Sequence, residues 1–141
     1  MASEVSNKIK YLLATGGINF SSDTFKIILM QSGFSFNKDT HHQYSDVSAS
    51  ELATGNGYTA NSKTLSGVAV TEDDTDDRTE VTWSNVTWTA SGGAIGPTPG
   101  AIIFDDTDGS DSIVGYIDFG GDQTQADGGV ATISNIELRI A

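Results

Sequence analysis

Ala101-Ile102-Ile103-Phe104-Asp105-Asp106-Thr107-Asp108-Gly109-Ser110-Asp111-Ser112-Ile113-Val114-Gly115-Tyr116-Ile117-Asp118-Phe119 holds two apolar runs, Ala101–Phe104 and Ser112–Phe119, around an acidic turn that contains Gly109. Each run reads as a strand. A connection this short joins antiparallel neighbours, because a parallel pair needs a crossover of a dozen or more residues. The same rhythm extends in both directions along the chain. Thr24–Met30, Thr64–Val70, Thr79–Ala90 and Val130–Ile140 also read as strands, separated by segments rich in Gly, Asp and Asn. No helical periodicity appears after residue 55, so helix-covered parallel sheets are excluded.

Within these strands the phase of the apolar residues carries information. In Thr24–Met30, Phe25, Ile27 and Leu29 share one face and Ile28 and Met30 the other, which predicts a strand covered on both sides. Val81 and Trp83 share a phase that Val86 and Trp88 reverse, and the switch falls at Ser84-Asn85. Ile133 gives way to Ile136, Leu138 and Ile140 near Ser134-Asn135 in the same manner. A reversal of this kind predicts a bulge or a corner. Ser91–Gly100, with four glycines and two prolines, reads as a long loop with Ile95 as its apolar anchor.

The N-terminal part differs. Val5, Ile9, Leu12 and Leu13 fall at helical spacing, Ser3 or Ser6 can cap the start, and Gly16-Gly17 stops the run. This predicts an amphipathic helix over 4–15. Ser48-x-x-Glu51 reads as a second helix start. Together these readings predict a mainly β fold: an antiparallel β-sandwich or jelly-roll-like barrel with a short N-terminal helix. One domain spans 1–141, with 1–17 as its helical segment.

Composition narrows the function. The 141 residues include no Cys, which removes disulfides, thiolate catalysis and Cys-ligated metals. The formal net charge is -12. Residues 71–80 carry six acids against Arg78, and 105–127 carry seven acids and no base. The acids thus gather in turns, as a solvated rim around an apolar body. Such a chain lacks the basic track that a nucleic acid backbone requires. No basic-then-apolar leader opens the sequence and no apolar run is long enough to span a bilayer, so a soluble protein made in the cytoplasm is expected.

No catalytic constellation emerges. His41-His42 reads as a surface pair, the acidic tracts lack the closing Glu of a twelve-residue calcium loop, and no Ser sits on a nucleophile elbow. The sequence implies no cofactor and no metal. Trp83 and Trp88 could line a carbohydrate groove, although such residues commonly fill a β core. The residues that ask for a partner are apolar ones. Val5, Ile9, Leu12 and Leu13 form a stripe that must cover this domain's own sheet or dock on a neighbour. Phe34, Phe36 and Tyr44, in an otherwise polar segment, face the same choice, and Ile95 joins them as a contact candidate.

Several stretches resemble a known group. They are Asn7–Tyr11, Asp23–Met30, Ser45–Val47, Glu51–Tyr58, Leu65–Val68 with Thr71–Asp74, and Trp88–Pro97. In combination they resemble small structural proteins encoded among the head and tail genes of tailed bacteriophages, over nearly the whole chain. The resemblance implies a non-enzymatic virion subunit, most like a capsid cement or decoration protein. It would be a homo-oligomer, often a trimer in such proteins, bound to the major capsid protein or other virion subunits. A tail, neck or fibre-associated subunit is the alternative, and a carbohydrate-binding adhesion module a more distant one. No ligand residues carry over from the resemblance.

Overall fold

The computed structural model describes residues 2–141. In chain order its strands are β1 (Ala2–Val5), β2 (Phe25–Leu29), β3 (Lys63–Thr64), β4 (Ala69–Asp73), β5 (Arg78–Trp83), β6 (Val86–Thr89), β7 (Ile95–Asp105), β8 (Ile113–Gln125), β9 (Val130–Ile133) and β10 (Ile136–Ile140). Its helices are α1 (Asn7–Thr15) and the single-turn α2 (Tyr44–Val47), which runs into a 3-10 turn at Ser48–Ser50. The strands form three antiparallel sheets, ordered β1-β8-β7-β2-β3, β10-β5-β4 and β6-β9.

No sheet closes on itself, which corrects the expected sandwich or jelly-roll-like barrel. Closure needs the two end strands of a sheet to pair. Here the end strands of the large sheet are β1 and the two-residue β3, and they do not meet. The apolar residues explain the arrangement. β2 and β7 are buried on both faces, so the five-stranded sheet is a central layer with a core on each side. Phe25, Ile27, Leu29, Ala101 and Ile103 face the larger core, together with Val81, Trp83, Trp88, Ile136 and Leu138 of the two smaller sheets. Ile28, Met30, Ile102, Phe104, Ile113 and Tyr116 face a second core, roofed by Val47, Phe34, Phe36 and Tyr44. The double-faced reading of Thr24–Met30 thus matches what is found.

A bulge tunes β8. Ile103 pairs with Gly115 but Phe104 pairs with Ile113, so Val114 is the extra residue. It lets Ile113 serve the second core while Val114 serves the first. Gly115 is glycine for a steric reason: a Cβ there would lie 2.7 Å from the Glu4 carbonyl and 2.8 Å from Leu138.

The phase reversals at Ser84-Asn85 and Ser134-Asn135 are one feature. Trp83 pairs with Ile136 and Val86 with Ile133. Both pairings belong to a single register, so 79–89 and 130–140 form one ribbon that turns a corner midway and passes from one sheet to the next. The corner keeps Val81, Trp83, Val86 and Trp88 all in the core.

Four local readings need correction. Thr64–Val70 is not one strand: β3 ends at Thr64 in the large sheet and β4 begins at Ala69 in another. The helix starts at Asn7, not residue 4. Ser6 caps it, its Oγ accepting from the Lys8 amide at 3.2 Å, and the residues before it pair with β8 instead, Glu4 opposite Tyr116. Gly16, at φ 75°, ends the helix as expected. Ser48 and Glu51 do not form a capping box; that motif belongs to Gln43 and Asp46 at α2. Finally, residues 95–100 are strand, not loop. The prolines at 97 and 99 precede Ala101, where the ladder with β2 begins, and the register with β8 is irregular there; such a position tolerates prolines that donate no hydrogen bond.

Candidate interaction surface

The 31–51 segment is polar, yet it is firmly tied down. The Gln31 amide donates to the Ser50 carbonyl (2.8 Å), the Asn7 amide to Lys38 (3.1 Å), Tyr44 to Asp111 (2.9 Å) and Ile113 to His42 (2.9 Å). The histidines serve this lacing. His41 Nδ1 accepts from the Asn37 amide at 3.0 Å, and His42 Nε2 donates to the Asp39 carbonyl at 2.7 Å. Glu51 is a buried anchor: Oε2 accepts from the Tyr44 hydroxyl (2.6 Å), and Oε1 from the Tyr58 hydroxyl (2.8 Å) and the Asn61 amide (2.7 Å). Burial, with the Glu51 carboxylate adding to it, pushes both phenols up, so they stay donors.

Folded this way, the segment presents aromatic rings beside β1 and β8. The Phe34 and Phe36 rings each lie 5.6 Å from that of Tyr116, Phe36 nearly parallel to it at 22°. His41 backs both phenyl rings, at 5.5 and 5.8 Å. A cavity of about 650 Å³ opens here, lined by Phe34, Phe36, Tyr116, Pro99, Glu4 and Asp118 among others. Its acidic members follow from strand geometry. Glu4 is the cross-strand neighbour of Tyr116, and Asp118 stands two residues along β8 on the same face. Gly120 and Gly121, both at positive φ, let β8 bulge around the cavity's far wall. Gly100 lets the Tyr116 ring lie flat across β7; a Cβ there would come within 2.2 Å of the hydroxyl.

The expected contact residues are distributed unevenly. Phe34 and Phe36 meet at this cavity, half-buried. Tyr44 packs on Phe104, with ring centroids 5.1 Å apart, at the opposite end of the second core. Val5 is half-buried in β1, off the helix. Ile9 is fully buried in the larger core, Leu12 is half-buried, and Leu13 and Tyr11 on its two flanks are 41 % and 62 % exposed. Ile95 is buried and lines a second cleft of about 370 Å³, between the far end of the β7–β8 hairpin and β9, with Trp88, Phe119 and Ile133. Trp83 packs edge-on against Phe20 and Phe25, and Trp88 lies tilted against Tyr58. Both tryptophans are buried in the larger core.

The sequence reading missed Tyr116, Glu4 and Asp118 as members of a surface site. The i, i+2 spacing of Tyr116 and Asp118 was available as a signal, whereas Glu4 was hidden by its assignment to the helix.

The acidic turns are internally organised. Arg78 pairs with Asp73, Asp76 and Glu80 at the β4–β5 turn. In the β7–β8 turn the Thr107 and Asp108 amides donate to Asp105, and the Ser110 amide and Ser112 hydroxyl to Asp108. Asp105 itself is fully buried, which corrects the expectation that every acid of 105–111 faces solvent. Burial and the nearby Asp23 carboxylate push its pKa up to about 6 against the opposing pull of the turn amides. Among the described residues no three His, Asp or Glu side chains come together as metal ligands, and no helix is long and apolar enough to cross a membrane.

No family model, no curated protein and no solved structure matches this chain.

Proposed function

We propose that this chain is a non-enzymatic virion subunit, a capsid cement or decoration protein that stabilises the head shell by protein–protein contact. One observation carries the reading. An ordered face of half-buried aromatic rings stands beside β1, the end strand of the central sheet. A cavity with an aromatic floor and an acidic rim suits a protein surface better than a small substrate. Tyr11 and Leu13, exposed on opposite flanks of α1, leave that helix apolar surface for self-association, a trimer in this reading. The chain then bridges its own copies through α1 and the major capsid protein through the cavity face.

Electron microscopy of particles carrying a label on this chain tests the proposal. Density at every capsomer junction supports cement. Density confined to one ring at the neck or to the tail assigns it to the tail, neck or fibre reading, and absence from particles overturns the virion role.

A further inference from the structure

We propose that the cavity between β1, Phe34–Phe36 and the β8 bulge is a receptor for an arginine side chain of a partner protein. The inference rests on the reading that this face meets a protein, and it adds the chemistry of what enters.

Four features converge. First, the walls are aromatic faces. Phe36 stacks on Tyr116 and Phe34 is inclined at 59° to it, so the half-buried Phe34 and Phe36 are the rings that present area to the cavity. Such faces attract a cation through their quadrupoles, and a planar guanidinium can stack on them. Second, the rim is acidic, and among the described residues it is uncompensated. Glu4 and Asp118 line the cavity, and among the described residues neither takes part in an ion pair. No Lys, Arg or His lines it. Third, Tyr116 is only 7 % exposed, yet its hydroxyl makes no hydrogen bond to any described residue. Tyr116 is one of the residues that line the cavity, so a donor that enters there comes close to this phenol. It is left to accept from a donor that comes from outside. Fourth, the surrounding charge already acts on it: burial, then Asp118 and Asp122, push the Tyr116 phenol up to about 12. The phenol therefore stays neutral, and the same negative field favours a cation alongside.

A guanidinium answers all four. It stacks on the rings, donates N–H groups to the Tyr116 oxygen and reaches the two carboxylates. A quaternary ammonium satisfies the rings but has no hydrogen for the phenol. A divalent cation finds no cluster of three ligands here.

The test uses the full chain and two small probes, N-acetyl-arginine methylamide and its uncharged isostere N-acetyl-citrulline methylamide, titrated while the ring resonances of Phe34, Phe36 and Tyr116 are followed by NMR. The arginine probe should produce saturable shifts on all three rings, and citrulline should not. Glu4→Gln and Asp118→Asn, both at exposed positions, should each weaken the arginine probe by about threefold to fivefold. Tyr116→Phe should weaken it too, with amide spectra confirming that each variant is folded. Equal binding of citrulline, no saturable shift with arginine, or unchanged affinity in the Glu4→Gln/Asp118→Asn double variant would each overturn the assignment. If arginine fails and the labelled chain still decorates particles, the docking role stands without this chemistry. If arginine binds and particles are bare, the receptor stands and the virion reading falls.

Discussion

Glu51→Ala should be among the most destabilising single substitutions in this protein, although it touches no apolar core position. Among the described residues the carboxylate has no cationic partner; three donors hold it, from Tyr44, Tyr58 and Asn61. Alanine removes the acceptor and leaves those donors behind. Tyr44, half-buried, can recover a water. Tyr58 is 2 % exposed and its hydroxyl cannot, and the Asn61 amide lies against the same pocket. A buried donor stranded in this way costs about 1–3 kcal/mol. Two of them give about 2–6 kcal/mol, against a total stability for a domain of this size of about 5–15 kcal/mol. Glu51→Gln keeps the volume and one carbonyl oxygen, and its amide can donate to a tyrosine oxygen, so its cost should be about 1–2 kcal/mol. Tyr44→Phe, which removes one partly wet donor, should cost about 1 kcal/mol or less.

Urea unfolding measures all three variants. The midpoints should fall in the order parent, Tyr44→Phe, Glu51→Gln, Glu51→Ala, with the slopes unchanged. A Glu51→Ala variant within 1 kcal/mol of the parent, on the scale of a single ordinary hydrogen bond, would refute the reasoning, as would Gln costing as much as Ala. Glu51 also carries a functional consequence. It joins Tyr44 to Tyr58, whose hydroxyl in turn accepts from the Leu29 amide at 2.9 Å. The roof over the second core is thereby fastened to the central sheet, so Glu51→Ala should loosen Phe34 and Phe36 before the fold is lost.

Other consequences are more local. Asp105, with a pKa near 6 in the fold and about 3.9 unfolded, holds its proton more tightly when folded. Its contribution is therefore complete below pH ~4 and is lost as pH rises through 6, by as much as ~3 kcal/mol. The difference in urea midpoint between the parent and Asp105→Asn should widen across that window in favour of Asn, and parallel profiles would contradict it. Gly57→Ala places a Cβ 1.9 Å from the Thr89 carbonyl at a φ of 93°, and should cost about 3 kcal/mol or more by thermal melting. Ile9→Ala should cost about 2–5 kcal/mol, because Ile9 is fully enclosed in the larger core. Deleting residues 1–15 should abolish the folded circular dichroism spectrum, since it removes an edge strand as well as that plug; a truncated chain that stays folded would show that the N-terminus is an appendage.

What the sequence reveals and what it hides divide along physical lines. The corners at Ser84-Asn85 and Ser134-Asn135 are legible because side-chain phase is a local property of a strand. That the two corners lie opposite one another is not, because register is settled by pairing across about fifty residues of chain. The Ser6 cap and the Gly16 stop are likewise local and can be read directly. The missed strand β1 has no pattern of its own. Ala2–Val5 is extended because β8 offers a free edge, and Val5 then leaves the helical stripe it completes on paper. The prolines at 97 and 99 mislead for the converse reason: they break most strands, but not one whose proline side needs no donor.

The aromatic cavity combines both situations. Phe34 and Phe36 announce themselves, because aromatic rings in a polar segment need cover. Tyr116 does not, since within the apolar run of β8 it looks like any core residue. Only the fold sets it opposite Glu4, two residues from Asp118 and over the bare backbone of Gly100. Each of these four residues has an ordinary reading when taken alone: a helix start, a strand core, a solvent-facing strand acid and a breaker. Their combination is an acidic, aromatic recess with an unpaired phenol. A set drawn from three distant stretches, held together by cross-strand pairing, has no linear motif to find. For that reason the charge of the chain, -12 in total, is a poor guide to its partner. Thirteen of its nineteen acids lie in 71–80 and 105–127, where several cap turns or pair with Arg78. The carboxylates with recognition to do are the few that stand beside aromatic rings with no base of their own.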